Sequence, residues 1–155
     1  MAEPSKKISE IVADFQSEGK PFVSIEFFPP KTEAGLNSLS NVITKLKTKS
    51  PIFADYTWGA GGSTSDLTVQ LCLDAKEKHG LNPNMHLTCT NMDLAKVDTA
   101  LAQCKEAGIT NILALRGDPP AGQDKWEATE GGLTCALDLV RYIKKNHDEY
   151  FSISV

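Results

Sequence analysis

One stretch of the sequence decides how the rest is interpreted: Asn111-Ile112-Leu113-Ala114-Leu115-Arg116-Gly117-Asp118-Pro119-Pro120. It begins as a short apolar run, typical of a buried strand, and stops at two prolines, which cannot donate to a sheet ladder. Gly117 permits a close approach of the backbone to a bound group. The carboxyl end of a buried parallel strand is where α/β enzymes place their chemistry. A structural pair of Arg116 and Asp118 that closes a loop explains the stretch equally well.

The composition is that of an ordinary globular domain. The chain has 155 residues, of which 41% are hydrophobic and 23% charged, and its net charge is -4. Charges of both signs are interleaved, which argues against a nucleic-acid partner, and no apolar run is long enough to predict a membrane span. The amino terminus has no apolar signal core, and the four cysteines form no CxxC pair. We therefore expect free buried thiols, no metal site and a cytoplasmic protein.

Short apolar runs alternate with helical stripes along the chain, at a spacing of roughly 30 residues that is typical of βα units and a parallel sheet. A helix near the amino terminus comes first, and strands are predicted at 22–28, 51–57, 84–89, 111–115 and 150–155. The predicted helices after the first, third and fourth strands include Leu36 to Leu46, a segment capped by Asp93, and Leu133 to Ile143. Ser63 or Ser65 is the predicted cap of the helix after the second strand.

Two architectures fit this alternation. A five-stranded doubly wound sheet suits the length, whereas a TIM (β/α)8 barrel needs about 250 residues, so this chain would carry about its first five βα units. Because the last predicted strand has no helix after it, we expect the truncated barrel. We predict an amino-terminal helix and linker at 1–21 and the truncated catalytic barrel at 22–155.

Polar groups follow or interrupt each of the first four strands. In a parallel barrel these ends share one face, the catalytic face. They are Glu26, Thr57, His86 with Thr88, and Arg116 with Asp118. Burial of Glu26 among phenylalanines should favour its neutral form, which suits a general acid. A partner for a Lys or Arg across the barrel is the other interpretation of Glu26.

The remaining polar and aromatic residues have plain structural interpretations. Taken alone, His86 is better explained as a core histidine bonded to the backbone, and Thr88 as a satisfied strand-end hydroxyl. Trp58 could cover the barrel rim, and we expect Trp126 to lie in a solvated loop. The glycine-rich segment 59–62 precedes a helix and is a weak candidate for holding a phosphate.

Four motifs together resemble the catalytic domain of the methylenetetrahydrofolate reductase family, in its eukaryotic form. They are Ser24-Ile25-Glu26-Phe27-Phe28-Pro29-Pro30-Lys31-Thr32, Tyr56-Thr57-Trp58-Gly59-Ala60-Gly61-Gly62, His86-Leu87-Thr88-Cys89 and Ala114-Leu115-Arg116-Gly117-Asp118-Pro119. Gly131-Gly132 and the segment 136–140 match as well. The resemblance runs from about residue 22 to the end, in the family's order and spacing.

The resemblance implies an eight-stranded barrel that binds FAD, takes a hydride from NADH or NADPH, and reduces 5,10-methylenetetrahydrofolate to 5-methyltetrahydrofolate. This is a step of one-carbon metabolism and methionine synthesis. Glu26 is the implied general acid that opens the folate ring, and Asp118 the charge that favours the cationic iminium. Both would contact the substrate. The implied FAD contacts are Thr57, Trp58, His86, Arg116, Gly117, Asp118, Cys135 and Ala136. The implied nicotinamide contacts are Glu26, Phe27, Phe28, Pro29, Pro30, Lys31, Thr57 and Trp58.

The resemblance also marks what this chain lacks. Cys135-Ala136 stands where bacterial and animal members have Tyr-Ala, so the backbone is expected to make that flavin contact. The family continues with further ligands and three more strands, and its members are expected to form homo-oligomers. We therefore expect the 155-residue chain to be inactive alone. The alternative is a complete five-stranded flavin- or nucleotide-binding module without catalysis.

Overall fold

The computed structural model describes residues 2–58, 65–120 and 122–155. In these residues helices and strands alternate as predicted. The helices are α1 Ile8–Ser17, α2 Glu33–Lys47, α3 Ser65–Glu77, α4 Leu94–Glu106 and α5 Ala136–His147. The strands are β1 Ser24–Phe27, β2 Phe53–Tyr56, β3 Pro83–Thr88, β4 Asn111–Leu115 and β5 Ser152–Ser154.

The strands form one parallel sheet in the order β1-β2-β3-β4-β5. A doubly wound sheet must reverse its strand order at a switch point, whereas strands that follow one another without reversal are the arrangement of a barrel. The observed order therefore decides between the two architectures in favour of a partial (β/α)8 barrel, of which the described residues form five strands and the four helices that connect them.

The two faces of the sheet differ sharply in polarity. Side chains alternate along each strand, and paired residues of neighbouring parallel strands lie on the same face. One face is apolar and packs under the helices, with the fully buried residues Ala54, Tyr56, Met85, Leu87, Ile112 and Ala114. The other face carries Glu26, Asp55, Asn84, Asn111 and Ser152 in one register row. This second face, which corresponds to the inner face of a barrel, is called the polar face below.

Helix ends follow the sequence signals. Thr32 and Asp93 cap α2 and α4, because their side chains accept hydrogen bonds from the backbone N–H groups three residues on, at 3.1 Å and 2.8 Å. Gly108 follows α4 with φ +67°, a conformation that favours glycine. Ser65 is the first residue of α3, and Ser63 lies outside the described residues.

The predicted helix from Leu133 to Ile143, in which Leu133, Ala136, Leu137, Val140 and Ile143 recur at helical spacing, differs from α5 at two of these positions. Leu133 precedes the helix, which begins at Ala136, and Leu137 is 54% exposed. Leu139 and Ile143 are the fully buried residues of this helix, since they face the sheet. No helix among the described residues is long and apolar enough to cross a membrane.

The segment before α1 is hydrogen-bonded to the amino ends of the strands. The Ser5 N–H donates to Gly108 O at 2.7 Å, and the Ile8 N–H donates to Asn111 Oδ1 at 2.8 Å. The Asn111 amide also donates to Lys6 O at 3.2 Å, which satisfies a side chain that is 1% exposed. These bonds fix the amino-terminal segment against β4. The division at residue 21 stays a prediction.

Candidate active site at the carboxyl edge of the sheet

Most of the predicted site residues lie at or just beyond one edge of the sheet. Thr57 and Trp58 follow β2, Arg116, Gly117 and Asp118 follow β4, and His86 lies inside β3 two residues before its end. Cys135 and Ala136 form the start of α5. The topology alone brings these groups together, because carboxyl ends of parallel strands share an edge.

Glu26 is not buried, contrary to the sequence-based expectation. It is exposed on the polar face, whereas its neighbour Phe27 is 7% exposed and packs against Tyr56 on the apolar face. The run Ile25-Glu26-Phe27-Phe28 is apolar in sequence, but alternation places Glu26 on the opposite side from Phe27. Its environment in this structure therefore does not supply the burial on which the general-acid argument was based.

The structure adds a residue that sequence reasoning missed. Asp55 pairs in register with Glu26 on one side and Asn84 on the other. Its Oδ1 accepts a hydrogen bond from Asn84 Nδ2 at 2.7 Å and lies 3.2 Å from His86 Nε2. Within residues 2–58, 65–120 and 122–155, the His86 ring is therefore bonded to a side chain and not to the backbone. A signal was present, since Asp55 interrupts an apolar strand and Asn84, His86 and Thr88 alternate with apolar residues.

Gly117 is needed for packing within the chain. Its φ is +86°, and a Cβ placed on it would lie 2.5 Å from Thr90 Oγ1 and 3.1 Å from Thr88 Cβ. Within the chain, the close approach at this glycine is made to Thr88 at the end of β3 and to Thr90 just after it. The reason is that the segment after β4 folds over the residues after β3.

Arg116 is held by an aromatic contact and not by Asp118. Its guanidinium lies 5.4 Å from the ring centre of Trp126, and among the described residues it forms no ion pair with Asp118. Trp126 is half-buried, and its Nε1 donates to Thr90 Oγ1 at 2.8 Å. The residues on either side of Trp126 are exposed, as expected of a solvated loop, but the indole itself is half-buried, because it packs against the core and donates a hydrogen bond to Thr90.

Thr90 connects these elements. Its hydroxyl, which accepts from Trp126, lies 3.1 Å from Arg116 O and 2.9 Å from Asp118 O. The side chains of Arg116 and Asp118 are exposed at the edge of the sheet. The backbone after β4 is thus fixed by Thr90, while the charged side chains of Arg116 and Asp118 remain accessible to a ligand.

Several side chains just after β1 and β2 are exposed or lack a hydrogen-bond partner among the described residues. Trp58 is 7% exposed, and its buried Nε1 has no acceptor among the described residues. Phe28 is 76% exposed, and Lys31 is exposed beyond Pro29 and Pro30. Thr57 Oγ1 donates a long hydrogen bond of 3.4 Å to Phe27 O. The glycine-rich segment 59–62 lies outside the described residues.

The chain also matches a known protein family. A family model described as methylenetetrahydrofolate reductase matches residues 8–155. The chain belongs to this family. The five parallel strands in sequential order are consistent with the first part of the family's barrel.

Individual reductases of this family are similar over nearly the whole chain. "Probable methylenetetrahydrofolate reductase (NADH)" of Oryza sativa subsp. japonica is 46% identical over 149 residues, which are 96% of this chain and 25% of that protein. "Methylenetetrahydrofolate reductase (NADH) 1" of Arabidopsis thaliana has the same identity and coverage. "5,10-methylenetetrahydrofolate reductase" of Salmonella typhimurium is 35% identical over 154 residues, 49% of its length. The chain thus spans about a quarter of the eukaryotic reductases it matches.

The thiols beside the site are free, as predicted for all four cysteines. Cys89 is buried at the end of β3, where its Sγ lies 3.4 Å from Cys135 O. Burial raises the pKa of the Cys89 thiol to about 11, so it stays protonated at neutral pH. Cys135 is only half-buried, and its backbone carbonyl already contacts Cys89.

Proposed function

We propose that this chain forms the flavin- and folate-binding edge of a reductase that converts 5,10-methylenetetrahydrofolate to 5-methyltetrahydrofolate with NADH or NADPH as the hydride donor. The observation that carries the proposal is the gathering of Thr57, Trp58, Arg116 and Asp118 at one sheet edge in a chain of this family. A role in methionine synthesis, a cytoplasmic location and a homo-oligomer remain predictions.

The residues at this edge fit FAD as a ligand. Arg116 offers an accessible guanidinium, the group that best binds phosphate in two parallel hydrogen bonds. Trp58 Nε1 is a buried donor without a partner among the described residues, so a ligand acceptor would satisfy it. We propose that His86, Gly117, Cys135 and Ala136 complete the contacts. FAD, when bound, supplies two-electron redox chemistry.

Two carboxylates have separate proposed roles. Asp118 is exposed at the edge, and its negative charge would favour the cationic iminium form of the folate over the neutral form. Glu26 would hold a proton and donate it to the leaving nitrogen of the folate's five-membered ring. Because Glu26 is exposed on the polar face, it can do so only for a ligand that lies over this face. Residues 26–31 would border the nicotinamide.

FAD-binding and reductase assays on two protein samples of different length test the proposal. One sample is the 155-residue chain, and the other is a chimera in which this chain replaces the matching segment of the Arabidopsis relative. We expect the chimera to bind FAD and reduce methylenetetrahydrofolate, and the chain alone to show no turnover. A folded chimera that binds FAD but has no reductase activity would contradict the proposal. A yellow, cooperatively folded chain would favour the five-stranded flavin-binding module.

Glu26→Gln in the chimera tests the proton donor. Glutamine keeps the shape of the side chain but has no acidic proton, so folate reduction should fall by at least about 100-fold, the usual worth of a general acid. Reduction of the flavin by NADH or NADPH should change little. Glu33→Gln is the matched control, since Glu33 is an exposed glutamate in the first turn of α2. Equal losses in both half-reactions, measured by rapid mixing, would exclude this role.

A further inference from the structure

The polar face contains a carboxylate that none of the proposed roles uses. The Asp55 side chain is 16% exposed and has no Lys or Arg partner among the described residues. Its Oδ1 instead receives two contacts, from Asn84 Nδ2 at 2.7 Å and from His86 Nε2 at 3.2 Å. A partly buried carboxylate is costly unless it is hydrogen-bonded, so these contacts define its environment.

This arrangement determines which ring nitrogen of His86 is free. Oδ1 of Asp55 acts as an acceptor toward the Asn84 amide, so the Nε2 of His86 must donate to it and carry a hydrogen. Nδ1 of His86 makes no hydrogen bond within the described part of the chain. The His86 side chain is 9% exposed, which leaves the ring little freedom to turn. In the neutral ring Nδ1 is then an acceptor.

The neighbouring amide has unused capacity as well. Asn84 is 5% exposed, and its buried Oδ1 has no donor among the described residues. Buried polar atoms are rarely left without a partner in native proteins. The polar face therefore offers two acceptors, Asn84 Oδ1 and His86 Nδ1, on adjacent same-face positions of β3.

We propose that Asp55 is a positioning residue for His86. It holds the ring by Nε2–H and presents Nδ1 as an acceptor to a hydroxyl or N–H donor of the bound ligand. This deepens the proposed function and rests on it only for the identity of that ligand as a flavin. Asp55 acts through the ring in this account, since its Oδ1 contacts Asn84 Nδ2 and His86 Nε2.

Nuclear magnetic resonance on the 155-residue chain tests the ring placement without any ligand. With 15N-labelled histidine, a hydrogen-bonded Nε2–H exchanges slowly with water and gives a visible 1H–15N signal, which His86→Gln assigns. We expect this signal in the wild type and in Asp55→Asn, which keeps an acceptor oxygen. We expect it to disappear in Asp55→Leu, which keeps similar bulk without an acceptor. A signal that survives in Asp55→Leu would overturn the proposal.

FAD affinity of the chimera with the Arabidopsis relative, measured by quenching of flavin fluorescence, tests the consequence for binding. Asp55→Leu should bind FAD about tenfold more weakly, the effect of one lost charge-assisted hydrogen bond, and Asp55→Asn within about threefold of the wild type. Asp74→Leu is the control, since Asp74 lies on α3 and is bonded to Gln70 and to Lys78 just after that helix, away from the polar face.

Two outcomes separate the two proposals. Loss of the ring signal with unchanged FAD affinity would overturn the positioning role and leave the flavin function intact. Loss of the ring signal in Asp55→Leu, together with a folded wild-type chimera that binds no FAD, would support the placement of His86 and contradict the flavin function.

Discussion

Gly117→Ala should destabilise the chain, because the backbone and the neighbouring side chains both require glycine at this position. At φ +86° an alanine pays about 1–2 kcal/mol for the left-handed conformation. Its Cβ would also lie 2.5 Å from Thr90 Oγ1, and overpacking of this kind costs roughly 1–3 kcal/mol. The sum is about 2–5 kcal/mol, a large part of the roughly 5–15 kcal/mol that stabilises a domain.

The threonine cannot easily move aside. Its hydroxyl is held by Trp126 Nε1 and lies between Arg116 O and Asp118 O. Thr90→Ala removes the oxygen that the new Cβ would strike, although Thr90 Cβ stays 3.2 Å from it. The double variant should therefore be more stable than the sum of the single changes predicts, by about 1 kcal/mol or more.

Urea unfolding followed by tryptophan fluorescence measures all four members of this cycle. The slope of the transition should stay constant, so that a shift in its midpoint reports stability. Gly122→Ala is a useful control, since Gly122 has φ +85° but no atom of the described residues lies within 4 Å of a Cβ placed on it. It should show the backbone cost alone. Equal losses for Gly117→Ala and Gly122→Ala, or strict additivity with Thr90→Ala, would refute the steric argument.

Two further predictions concern stability. Asp93→Ala should lower the free energy of unfolding by about 0.5–2 kcal/mol because it removes the cap of α4, whereas Asp93→Asn, which keeps an acceptor, should cost far less in the same urea titration. The free energy of unfolding should also fall as the pH rises above about 9. Burial raises the folded-state pKa of Cys89 to about 11 and of Cys104 to about 12. The stabilisation from these protonated thiols is therefore complete below the unfolded-state pKa near 9, and it is lost as the pH rises through the folded-state values. Cys89→Ser and Cys104→Ala should weaken this alkaline loss in urea titrations between pH 8 and pH 11, and an unchanged pH dependence would count against the burial of these thiols.

The element order was predictable because it depends on local patterns. Apolar stripes at helical spacing, short strand runs and prolines after β1 and β4 predicted every helix and strand, with ends that differ by a few residues. Asp93 was predicted as a cap and caps α4 through its side chain. Motif spacing predicted the family, which the match over residues 8–155 confirms.

The environments of single side chains were less predictable, because they depend on contacts between distant parts of the chain. Glu26 appeared buried in the sequence and is exposed, whereas Trp126 appeared solvated and is packed against the Arg116 guanidinium. The role of Asp55 depends on the register of β2 and β3, which aligns it with Asn84. No local pattern specifies which residues of two strands, separated by a helix, stand side by side.

The sequence by itself thus determined the alternation of βα units, their parallel arrangement, the Asp93 cap of α4 and the family. These follow from periodicity, turn chemistry and motif spacing, which are properties of neighbouring residues. Only the tertiary structure distinguished the strand order of a barrel from that of a doubly wound sheet. It also showed that Glu26 and Asp55 lie together on the polar face and that Gly117 packs against Thr90. The physical reason is that strand order, register and close approach are set by packing across the sheet, where residues far apart in the chain meet.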